Sequence, residues 1–200
     1  MTRFRVAITL CFSLLAAACL PVTTSVPVGS TTGFKPDQAL TGTWIATSAD
    51  KNDKDSGSAY FHFLPQADGS MTVVMVPYNA GDKDAGEWSV YKVQAATVGG
   101  YHYLNAQEVS NNGQAPEESL SKTFPLLYRT GDGGRVTLYL MDDDAAKAAI
   151  QAGKIKGEVE PGDFGDVHIT ADAAALDAFF ATPEGAAMFK KPLLVMTRPR

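Results

Sequence analysis

Glu87-Trp-Ser-Val-Tyr-Lys-Val-Gln-Ala-Ala-Thr97 and Tyr101-His-Tyr-Leu-Asn-Ala-Gln-Glu-Val109, linked through Gly99-Gly100, decide the fold class of this chain. Both runs carry aromatic and β-branched residues, which suit a pleated surface. The glycine pair supplies the positive φ of a tight hairpin link. Runs joined this closely pair antiparallel, because a parallel pair needs a long crossover. The pattern extends both ways. Strands are expected at 42–49, 59–64 and 70–78 on one side, and at 122–130 and 135–141 on the other. Turn residues separate them: Ser56-Gly57, Asp68-Gly69, Gly81-Asp82, Asn112-Gly113 and Asp132-Gly133-Gly134. The reading is mainly β, an antiparallel meander.

Two short helices are expected near 143–152 and 172–189. Asp142 is placed to cap the first and Gly153 to stop it. Thr170 or Asp172 caps the second, and Leu176, Phe179 and Phe180 fall on one helical stripe. Thr182-Pro183 restarts a turn of helix, with proline at its favoured first position. Short strands at 156–160 and 166–170 lie between the helices, and 193–197 closes the chain.

Composition limits function. The chain has 200 residues and a net charge of −5, with 17 Lys+Arg against 22 Asp+Glu. That balance excludes a basic nucleic-acid footprint. The two cysteines, Cys11 and Cys19, both lie at the N-terminus. The rest of the chain therefore holds no cysteine zinc site, cysteine nucleophile or disulfide. Residues 40–200 read as a single domain, large enough to fold without a staple.

Residues 1–18 read as a secretory signal peptide. Arg3 and Arg5 precede an apolar run from Val6 to Leu15, and small residues follow. Leu15-Ala16-Ala17-Ala18-Cys19 resembles the lipobox of bacterial lipoproteins. The resemblance implies acylation of Cys19, cleavage before it and delivery to the outer membrane, with the membrane as partner. Ordinary cleavage after Ala18 also fits the small-residue rule. Residues 19–39, with Pro21, Pro27 and Pro36, are expected to be a lipidated cysteine and a flexible tether.

Gly42-Thr43-Trp44, at the start of the first long strand, resembles the opening motif of the lipocalin and calycin barrels. With the strand order, it implies a lipocalin-like β-barrel of about eight strands. Trp44 would then plug the barrel base against Arg198 or Arg129.

No catalytic signature is present: G-x-S-x-G, HExxH and the P-loop pattern are absent, and Ser119-Leu120-Ser121-Lys122 lacks the partners of an S-x-x-K site. His62, His102 and His168 sit in three different strands without ligand spacing, and no metal or cofactor is expected. Asp50, Asn52, Asp53 and Asp55 read as a solvated turn, and Asp142-Asp143-Asp144 as a helix start. Glu158 and Glu160 share one strand face. Trp88, Tyr91, Tyr101 and Tyr103 are the candidate ligand-binding residues, on faces that would line a cavity for a small apolar ligand. The expected function is a membrane-anchored envelope lipoprotein with a binding or interaction domain. The alternative is a packed barrel that acts through its surface, as a structural component or an inhibitor of a secreted enzyme.

Overall fold

The computed structural model describes residues 21–50, 57–78, 87–116, 122–161 and 165–200. Eight strands close into an antiparallel barrel, consistent with a lipocalin-like architecture. They are β2 (Gly42–Ser48), β3 (Ser58–Pro65), β4 (Met71–Tyr78), β5 (Ser89–Val98), β6 (Tyr101–Asn111), β7 (Phe124–Thr130), β8 (Val136–Leu140) and β11 (Lys191–Thr197). Each pairs with its neighbour in sequence, and β11 pairs with both β8 and β2 to close the ring. Closure leaves the barrel no open sheet edge.

Alternation fills the interior. In β3, Ala59, Phe61 and Phe63 are buried while Tyr60, His62 and Leu64 face outward. Their inward partners on other strands include Trp44, Met71, Val73, Leu104, Leu138 and Met196. Met71 and Met196 are fully buried and Trp44 is 2% exposed, so the interior around them is solid side chain.

A second layer covers one side of the barrel. It comprises β1 (Thr23–Thr24), β9 (Gly157–Val159) and β10 (Val167–Ile169), in the order β1-β10-β9, with β1 parallel to β10. The helices are α1 (Asp143–Gln151), α2 (Ala173–Phe180) and α3 (Pro183–Ala187). Their core includes Val28, Ile169, Leu176, Phe180 and Phe189, packed on the outward residues Ala96, Val98, Tyr103 and Leu127. The central strands beneath it are therefore buried on both faces, as in Tyr103 through Ala106.

The region near 172–189 holds α2 and then α3, with the helix restarting at Thr182-Pro183: Thr182 Oγ1 caps α3 by accepting from Gly185 N at 3.1 Å. The structure corrects one expectation. The described part of the expected tether is a packed strap. Val22, Thr23, Thr24 and Val28 are buried. Asn105, facing outward from β6, clamps Val28 through Oδ1 accepting from its N–H (2.7 Å) and Nδ2 donating to its carbonyl (2.8 Å). The buried Asp177 carboxylate of α2 accepts from Gly29 N, Thr31 N and Thr31 Oγ1. Gly29 has φ +92°, and a Cβ there would lie 2.2 Å from Ala96 Cβ, so only glycine lets the strap pass this close. Prolines forbid a helix in this stretch, but they do not prevent an extended strap from packing.

Candidate functional site: the barrel ends and walls

One end of the barrel is closed by the approach to β2. Leu40 is fully buried beneath Trp44, whose Nε1 donates to the Leu40 carbonyl at 2.6 Å. The Arg198 guanidinium stacks on the indole 3.8 Å from its centroid. It also donates to Ala39 O (2.8 Å) and Thr43 O (3.2 Å). Gly42 adopts φ +100°, and a Cβ there would lie 3.1 Å from Arg198 Nη1. The positive φ favours glycine at this position. Tyr128 donates its hydroxyl to Asp37 at the same end. Burial and that acidic neighbour push the Tyr128 phenol well above the usual tyrosine range. Arg129 instead lies over the Tyr139 ring at 4.9 Å, on the outer wall.

Toward the other end the packing loosens. Phe61 and Phe124 are 7% exposed and Tyr91 8%, while Met75 and Leu140 are only partly buried. Glu108 faces inward here. It is paired with Tyr91 across β5 and β6 and is 4% exposed. Asn111 Nδ2 donates to Glu108 Oε1 at 3.4 Å. Burial, reinforced by the charge of Glu108, pushes Tyr91 up to about 12, with the Ser89 hydroxyl pulling the other way. The sequence reading passed over Glu108, although Leu104, Ala106 and Glu108 share one strand face.

The four aromatic candidates do not converge on one cavity. Tyr91 points into the barrel. Tyr101 and Tyr103 share a face, but it is the outer one, covered by the second layer. Tyr103 donates to the Phe180 carbonyl at 2.8 Å and packs against Phe180 and Phe189. Its burial raises the phenol pKa strongly, reinforced by Tyr101. Trp88 sits at the rim, 39% exposed, with its backbone bonded to Asn112 in both directions. A groove of about 430 Å³ does exist, but outside the barrel, on α1 and α3, lined by Ala145, Ala149, Phe179 and Met188, with Lys154 and Lys190.

The histidines stay apart, each bonded to a hydroxyl on a neighbouring strand or segment. His62 pairs with Thr43 (3.0 Å), His102 with Thr97 (3.1 Å), and His168 with Thr23 (2.8 Å) and Ser25 (2.9 Å). Asp142, Asp143 and Asp144 cluster, but Asp142 caps α1 through Ala145 N and Asp143 pairs with Lys147 at 3.3 Å. Glu158 and Glu160 are both exposed. Cys11, Cys19, Asn52, Asp53, Asp55 and Ser119 to Ser121 lie outside the described residues.

On the wall opposite the second layer, Ile45, Tyr60, Val74 and Val76 face outward from β2, β3 and β4; they are partly exposed, and among the described residues none belongs to the second core. Tyr78 is 52% exposed, and its ring lies 5.8 Å from that of Tyr60.

No protein-family model matches this chain, and no curated protein or solved structure is significantly similar to it. The class rests on the fold: a closed eight-stranded antiparallel barrel with a second layer on one wall.

Proposed function

We propose that the protein is an envelope lipoprotein, anchored in the outer membrane through acylated Cys19, whose barrel is an interaction module acting through its surface. The observation that supports this reading is the contrast between a filled interior and an apolar wall that no second core covers among the described residues. The barrel interior is occupied by Trp44, Phe61, Phe63, Phe124 and Tyr128. Ile45, Tyr60, Val74 and Val76 are partly exposed on the outside and Tyr78 is 52% exposed, and none of them belongs to the second core among the described residues. The partner that suits this wall is an envelope protein with a complementary apolar surface.

Two experiments test the two halves of the reading. For anchoring, cells fed labelled palmitate incorporate it into the native chain and not into Cys19→Ala; equal incorporation overturns the anchor. For the surface, a photo-crosslinking residue at Tyr78 gives a discrete higher-mass product in cells, and the same residue at Thr137 on β8 gives none. Products at neither position reject the surface reading. A reproducible extra mass on the native protein in mass spectrometry, lost in Tyr91→Ala, would favour a ligand carrier instead.

A further inference from the structure

We propose that the lipidated protein lies directly against the bilayer on the side of its β1-β10-β9 sheet, so that the apolar wall of β2–β4 points away from the lipid. The inference rests on the acylation of Cys19 proposed above and adds an orientation to it. Its starting point is chain length. Val22 is 2% exposed and belongs to the second core, and Thr23 and Thr24 are fixed in β1. Only Leu20 and Pro21 lie between Cys19 and Val22, and the three α-carbon steps of a fully extended chain span at most about 11 Å. A flexible 20-residue tether would reach a root-mean-square distance of about 25 Å. The strap therefore removes the reach that residues 20–39 would otherwise provide.

The register says which side is held. Thr23 pairs with His168 and Thr24 with Ile169 in parallel, so continuing the register places Pro21 level with Asp166. Glu160 N donates to the Asp166 carbonyl, closing the β9–β10 hairpin beside that point. The β1 strand also lies against β7, and Thr24 bridges Thr123, the residue just before that strand. In the closed order β11-β2-β3-β4-β5-β6-β7-β8, β3 is four strands from β7 in either direction. The attachment side and the bare wall therefore lie on opposite sides of one barrel.

Charge does not produce this arrangement. Glu158, Glu160 and Asp166 make the hairpin acidic, and the chain without residues 1–18 keeps all 22 acidic residues while losing Arg3 and Arg5. Anionic head groups would repel it. Multiple acyl chains hold a protein stably, and a short link holds its attached side at the head groups. The consequence is functional: a compact domain of this size is about 40 Å across, and partners on the bare wall must be engaged within about that height above the bilayer.

The test uses full-length lipidated protein in vesicles of phosphatidylethanolamine and phosphatidylglycerol that carry a nitroxide head-group quencher. After processing and acylation no free thiol remains, so Asp166→Cys and Leu64→Cys each offer one site for a fluorophore. Asp166 borders the attached hairpin, and Leu64 is 47% exposed on the outer face of β3. Quenching several-fold stronger at 166 than at 64 is expected. Inserting a 20-residue Gly/Ser spacer between Leu20 and Pro21 should abolish the difference. Equal quenching in protein that floats with the vesicles and carries the acyl mass overturns the orientation alone. A chain without acyl mass that does not float overturns both the anchor and the orientation.

Discussion

The covered and the bare walls of the barrel are built from the same kind of strand and differ in what lies outside. In β3, burial alternates residue by residue. In β6, Tyr103, Leu104, Asn105 and Ala106 are all buried. The inward residues are alike on both sides: Phe61 and Phe63 on one, Leu104 and Ala106 on the other. The outward residues set the difference. Tyr103 holds the Phe180 carbonyl and Asn105 holds the Val28 backbone, so their polar atoms are satisfied beneath a second layer. Tyr60, Val74 and Val76 are partly exposed and lie outside the second core among the described residues. One wall is thus packed on both faces, and the other carries partly exposed apolar residues.

The largest test of this contrast is Phe180→Ala. The ring is fully buried among Tyr103, Phe179 and Phe189. Its truncation should cost about 3–5 kcal/mol in urea unfolding. A loss below about 1 kcal/mol would mean that the second layer is loosely attached. Alkaline pH comes next. A tyrosine with a raised native pKa keeps its full stabilisation below its unfolded value near 10 and loses it as pH rises toward the native value. For Tyr91, at about 12, the expected slope is about 1.4 kcal/mol of lost stability per pH unit between those limits. Tyr103, shifted in the same direction, adds to it, and Tyr103→Phe should flatten the profile if the covered wall is as dry as described. The smallest effect belongs to the bare wall. Val76→Thr should change unfolding free energy by less than about 0.5 kcal/mol, as at ordinary surface sites. A change above about 2 kcal/mol would show that something covers this wall.

The base of the barrel was legible because its parts are local and distinctive. Gly42-Thr43-Trp44 stands at a strand start, and Arg198 follows the last strand. The choice between Arg198 and Arg129 was not legible. It depends on where β11 and β7 end around the ring, which only closure fixes. The strap was misread for a related reason. Its prolines and small residues match a tether in composition, and its order comes from Asn105 and Asp177, 77 and 148 residues from their partners Val28 and Gly29. The aromatic candidates were placed on strands and on shared faces by parity, but parity does not say which face is inside.

The sequence alone determined the antiparallel strand order, the turns between strands and the helix starts at Asp142, Asp172 and Thr182. Those follow from backbone preferences and from hydrogen bonds spanning only a few residues. Tertiary structure alone decided that Tyr103 lies outside the barrel, that Glu108 lies inside it, and that residues 21–39 wrap its wall. Each of these depends on a second surface arriving from far along the chain, and only then does burying both faces of β6 become favourable.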